Sequence, residues 1–258
     1  MRVLCYNLLV RRSIAKHIHE STNIAYWMEN PNWDSGSAAF NLICRAFRAL
    51  PFSVHDAQKR IFFDSERLIA VNGETIVAKS GLGKVDKFMF RYPGKMPLET
   101  FKEHVAHEVG AVTSCLAGIA LPTEVSIKPA DIFKHVRHPI PTVVQTQQRL
   151  DLDIHKALDL NEVEAEATSP LRDRTARDLE RMLQGIDTLA AGYEFVPDIA
   201  HNSGNLRRST LDGEVTLMDV MPIHPDGDRL IADHPPGLLE HATENIHNYQ
   251  AFVGQYGS

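Results

Sequence analysis

The stretch that decides the reading is Pro197-Asp198-Ile199-Ala200-His201-Asn202-Ser203-Gly204-Asn205, running on through Leu206-Arg207-Arg208 to Glu214-Val215-Thr216-Leu217-Met218-Asp219. A polar, turn-rich loop leads here into two short segments separated by Leu211-Asp212-Gly213, the pattern of a β-hairpin whose second strand ends in Asp219. Just upstream, Ser169 is placed to cap a helix and Pro170 to fill its first position. Leu179, Met182, Leu183, Ile186, Leu189 and Ala190 then follow helical spacing. The local order is therefore a long amphipathic helix, a polar loop, a hairpin and a terminal Asp. An Asn on such a loop and an Asp at the hairpin's end are oxygen ligands of the kind Mg²⁺ takes, and an Asp just before the Asn can face an acceptor hydroxyl. Taken singly, Asp198, Asn202 and Asn205 are also ordinary turn residues that satisfy nearby backbone.

Outward from that stretch, residues 60–91 carry four short segments rich in β-branched and aromatic residues: Arg60–Phe63, Arg67–Val71, Thr75–Lys79 and Val85–Arg91. Asn72-Gly73 and Ser80-Gly81-Leu82-Gly83 separate them, which predicts an antiparallel meander. Pro97–Leu116 reads as a helix with Phe101, Val105, Val109 and Val112 on one stripe, ended at Leu121-Pro122-Thr123. Val143–Gln147 reads as a further strand and Asp151–Ala167 as an acidic, mostly polar connection. Sheet, helix, strand, helix, polar loop, hairpin is not the alternation of a doubly wound sheet, so the fold class is α+β. Residues 1–58 read as a helical amino-terminal extension, with Phe40, Ile43, Cys44 and Phe47 forming a stripe that packs on the core.

The loop ending in Gly204-Asn205, the hairpin and Asp219 together resemble the protein-kinase-like superfamily, especially the small-molecule branch typified by aminoglycoside phosphotransferases. The resemblance implies a two-lobed α+β fold: an antiparallel sheet with one helix over 59–148, and a reduced, mainly helical carboxyl-terminal lobe over 149–258. It implies ATP and Mg²⁺ as cofactors, with Asn205 and Asp219 as metal ligands and Asp198 as the catalytic acid, His201 standing second for that role. It further implies a strand lysine that holds the phosphates and a helix glutamate that orients it. Lys87 and Glu108 take these roles, with Arg91 and Glu103 as their competitors. Gly73 would sit in the turn over the phosphates, with Ser80–Lys84 as the alternative, and Val143–Leu150 would be the hinge strand that meets adenine. Two departures stand out. Asp198 and Asn205 are seven apart, against about five in the kinase signature. Val220-Met221 also replaces the usual Phe-Gly after the metal Asp. The implied activity is phosphoryl transfer from ATP to an unidentified acceptor, a small molecule before a protein. The alternative is a pseudokinase-type module that binds nucleotide or protein without catalysis.

Composition narrows the field. With 258 residues, 43% hydrophobic and 23% charged, the chain can bury an ordinary core. A net charge of −6 is the wrong sign for a phosphate-backbone or anionic-membrane binder, so neither nucleic acid nor membrane is an expected partner. Cys5, Cys44 and Cys115 show no zinc or disulfide spacing, and no apolar run spans a bilayer, so the chain reads as cytoplasmic. A Walker A reading of Ser80–Lys84 fails, because Ala78 and Val85 stand where that motif needs Gly and Ser or Thr. His104 and His107 lie near one helical face and lack a third ligand at suitable spacing.

Overall fold

The structure, a computed structural model, describes residues 64, 66–71, 75–89, 97–132, 141–166, 169–199, 204–224 and 237–257. The expected extension over 1–58, the Arg60–Phe63 strand, Gly73, Arg91, His201 and Asn202 lie outside those residues.

The predicted meander forms. Strands β1 (Leu68–Val71), β2 (Thr75–Ser80) and β3 (Lys84–Met89) pair antiparallel in sequence. The turn between β2 and β3 has Gly81 at φ +53° and Gly83 at φ +71°, a left-handed backbone that glycine adopts at the least cost. Ser80–Lys84, the alternative glycine loop, is thus this hairpin turn, with Leu82 exposed at its tip. Register places Ile76 opposite Phe88 and Ala78 opposite Asp86 on one face. Val77 opposite Lys87 and Thr75 opposite Met89 line the other. Helix α1 (Leu98–Cys115) follows and buries Phe101, Val105, Val109 and Val112, the stripe its spacing predicts. Strands β4 (Thr123–Pro129) and β5 (Pro141–Gln148) complete a five-stranded sheet in the order β1-β2-β3-β5-β4.

A polar network ties three of these strands. Asp86, 4% exposed, accepts from Lys128 Nζ at 2.9 Å and from Thr146 Oγ1 at 2.6 Å. Burial pushes its carboxyl up, but hydrogen bonds from Thr146, Lys128 and Ser80 outweigh it and hold the group below the usual carboxylate range.

The rest of the chain runs β6 (His155–Ala157), α2 (Leu160–Ala165), α3 (Pro170–Tyr193), β7 (Val196–Pro197), β8 (Leu206–Ser209), β9 (Val215–Leu217), β10 (Pro222–Ile223) and α4 (Leu238–Tyr256). Ser169 caps α3 through Leu171 N, with Pro170 in the first turn, as its sequence predicts. Strands β6, β8 and β9 form one sheet and β7 and β10 a two-stranded ribbon. The segment read as a polar connection over Asp151–Ala167 instead holds β6 and α2, the latter capped by Asp159. The architecture is α+β, as the element order predicts.

The chain divides into two compact units. The first takes the residues up to Lys102 with Val125–Thr146, and the second takes Glu103–Glu124 with Gln147–Ser258. The core of the first is built on Ile76, Ala78, Phe88, Val143 and Val144. That of the second is built on Leu179, Met182, Ile186, Leu189, Leu217 and Ile223. Among the described residues, no helix is long and apolar enough to cross a membrane.

Candidate functional site

The second unit gathers three of the sequence-derived residues at adjoining loop ends. Helix α3 stops at Glu194, a non-glycine residue at φ 59°, and turns the chain into β7. There Val196 and Pro197 pair with Ile223 and Pro222 of β10. This pairing lays the segment entering the polar loop beside the segment leaving Asp219. Asp198 N donates to Met221 O at 3.3 Å, which continues the contact past the strand ends.

Asn205 joins the same frame from the loop's far end. Its side-chain Nδ2 donates to the carbonyl oxygen of Asp198 at 3.3 Å, and its own carbonyl accepts from Met218 N at 2.7 Å. Gly204 before it has φ +61°, so the chain enters β8 through a conformation that suits glycine. Asp219 Oδ1 accepts from Met221 N at 3.1 Å, a local turn that fixes its side chain at the exit of β9. Asp198, Asn205 and Asp219 are all half-buried, while Ile199, Leu206, Leu217 and Val220 behind them are buried. A dry backing thus holds three polar side chains at a surface that solvent reaches.

Two supports tie the hairpin of this frame to α3, and neither was read from the sequence. Arg208 on β8 forms a bidentate pair with Glu166, at 2.6 and 2.7 Å, and donates through Nε to Thr175 Oγ1 on α3. Those bonds hold the Glu166 carboxyl below its usual range. Asp178, 1% exposed on α3, accepts from Arg174 Nε at 2.9 Å, Arg181 Nη1 at 3.3 Å and the backbone N of Val215 at 3.2 Å. The hairpin is therefore clamped to α3 from both of its strands. From the other side, Asn245 of α4 donates to Ile199 O at 2.9 Å, one residue past Asp198. The spacing of Arg174, Asp178 and Arg181 at i, i+4 and i+7 is a readable sign of helical ion pairs. Their burial under a hairpin is a tertiary fact.

Glu108, expected to orient a lysine, is 7% exposed, and its Oε1 lies 2.9 Å from His224 Nε2, both residues belonging to the second unit. Phe195 meets the His224 ring edge-on at 5.3 Å. Lys87 lies half-buried on β3, on the face shared with Val85 and Met89. His107 sits edge-on to Tyr193 at 5.9 Å.

Among the described residues, no group of three or more His, Cys, Asp or Glu is arranged to hold a metal ion. A nucleotide-borne Mg²⁺ asks for less: one or two protein oxygens, the rest of its shell being phosphate and water. Asn205 and Asp219 are the oxygen-bearing side chains that the sequence offers for that demand. The amide nitrogen of Asn205 is committed to Asp198, so its oxygen is the end that would meet a cation. Compared with protein-family models the chain matches none, and it has no significant match among curated proteins.

Proposed function

We propose that this chain is an ATP- and Mg²⁺-dependent phosphotransferase of a divergent protein-kinase-like architecture, acting on an acceptor hydroxyl, of a small molecule before a protein. One observation carries the reading: the Asn205 side chain is bonded to the Asp198 carbonyl, beside the β7–β10 ribbon that begins just past Asp219. That is one loop, one hairpin and one strand exit supplying an acceptor-facing carboxylate and two metal-ligand side chains. The antiparallel sheet followed by a single helix and two more strands is also the arrangement this reading asks of the amino-terminal half.

In this reading Asp198 holds the acceptor hydroxyl and takes its proton, while Asn205 and Asp219 orient the metal-bound phosphates. Mg²⁺ brought in with ATP would neutralise charge on the β- and γ-oxygens. A second reading, nucleotide binding without turnover, is favoured by Glu108, whose carboxylate is engaged by His224.

Thermal unfolding with and without ATP and Mg²⁺ tests both readings. A ligand at a hundred times its dissociation constant adds about 2.7 kcal/mol, or about 5–10 °C for a chain of this size. The shift is expected to need Mg²⁺ and to vanish in Asp219→Ala and Asn205→Ala. Asp198→Ala is expected to keep the shift and lose ATP turnover. No shift in the wild-type chain at millimolar ATP sinks both readings. A Mg²⁺-dependent shift with no turnover against any acceptor selects the second.

A further inference from the structure

Arg207 and Arg208 are neighbours on β8, and strand alternation sends them to opposite faces. Arg208 is satisfied, with Glu166 on both terminal nitrogens and Thr175 on Nε. Arg207 is not. Its Nε is buried without a hydrogen-bond partner, and among the described residues no carboxylate pairs with its guanidinium. Arg207 follows Asn205 by two residues on the strand that Asn205 leads into, and register sets it opposite Thr216. The guanidinium also folds back toward the loop: a Cβ built on Gly204 would lie 3.1 Å from Arg207 Nη2. A permanent cation, its Nε without a partner, therefore has its guanidinium beside Gly204, the residue before the proposed metal ligand Asn205.

A buried N–H without an acceptor is costly. A guanidinium is the side chain best shaped to meet an anionic oxygen pair. We propose that Arg207 is a nucleotide-binding residue that meets the phosphate oxygens of ATP at the Asn205–Asp219 site. The assignment rests on the phosphotransferase reading and adds to it a cation that the kinase resemblance does not supply. It also gives Gly204 a second reason to lack a side chain, since any Cβ there would press on the guanidinium.

Calorimetric titration of MgATP and of adenosine into the wild-type chain, Arg207→Gln and Arg207→Lys, with no acceptor present, decides it. Charge-assisted hydrogen bonds of this kind are worth roughly 10- to 100-fold in affinity. Arg207→Gln is expected to lose that much for MgATP and to bind adenosine within about twofold of wild type. Arg207→Lys, which keeps the charge and loses the fork, is expected to fall in between. Unliganded melting temperatures report whether the variants fold; if Arg207→Gln does not, the Lys variant decides on the same ATP-against-adenosine contrast. Unchanged MgATP binding in a folded variant overturns the assignment and points the guanidinium at an anionic acceptor. Equal losses for adenosine and MgATP overturn it as well. Failure of the wild-type chain to bind MgATP overturns the phosphotransferase reading itself, which is a different result.

Discussion

Asp198, Asn205 and Asp219 could be proposed from the sequence because the chemistry asked of them is carried by residue type and local order. The Asp-Gly turn sets the hairpin, and the hairpin sets where Asp219 falls. Glu166 was not legible, because its partner Arg208 is 42 residues away and nothing between them announces the pairing. That pair carries a pH signature. With Arg208 holding it, the Glu166 carboxyl lies below its ordinary value of 4.5 in the folded chain, so the unfolded chain binds the proton more readily. The stabilisation is then fully present above about pH 4.5 and is lost as the pH falls through the lowered folded value. Glu166 is partly exposed, so solvent screening keeps the contribution to about 1 kcal/mol. In urea unfolding, Glu166→Gln is expected to cost that much at pH 7 and progressively less toward pH 3. A difference that stays constant over that range would show that the charge on Glu166 does nothing for stability.

Elements with clean signals were found, and those with diluted ones were missed. Helix α3 announced itself through Ser169, Pro170 and a long apolar stripe. Helix α4 did not: its buried line is Ala242, Asn245, Tyr249 and Phe252, with a polar residue breaking the apolar run and Gly237 at its start giving no side-chain cap. Strand β4 was missed although Glu124-Val125-Ser126-Ile127-Lys128 alternates polar and apolar residues; the run is short and lies between Pro122 and Pro129. Gly185 of α3 and Gly110 of α1 look alike in sequence and differ in packing. A Cβ at Gly185 of α3 would come within 2.5 Å of the Cys115 carbonyl oxygen and of Leu116 Cδ2, where the end of α1 crosses it. Around Gly110 of α1 there is nothing within 4 Å. Gly110→Ala is therefore expected to stabilise the chain by about 0.5–1 kcal/mol through helix propensity alone. Gly185→Ala gains the same propensity but must push backbone apart, with a net loss of about 1–3 kcal/mol. Chemical denaturation of the two variants checks the sign. Equal gains in both would mean that α3 does not approach α1 closely at Gly185.

At the scale of the whole chain, the two compact units raise the question of whether they unfold separately. Domains that do so are joined through exposed linkers where few contacts cross. Here the chain passes between the units at Lys102–Glu103, Glu124–Val125 and Thr146–Gln147. All three points fall inside regular elements, namely α1, β4 and β5. Melting one unit would therefore fray a helix and two strands whose remainders belong to the other. A single cooperative calorimetric transition is expected, with calorimetric and van't Hoff enthalpies equal. Substitutions confined to one unit supply the sharper check. Lys128→Met leaves the buried Asp86 charge without its ammonium partner in the first unit, and Asp178→Ala removes the acceptor that joins α3 to Val215 in the second. Each is expected to cost about 2–4 kcal/mol, and each should lower the same transition. Two resolved transitions, with each substitution moving only one, would show that the shared elements do not couple the units. The distinction matters for the nucleotide experiment. If unfolding is concerted, ligand held by Asn205 and Asp219 raises the melting temperature of the entire chain; if it is not, only the second unit's transition moves.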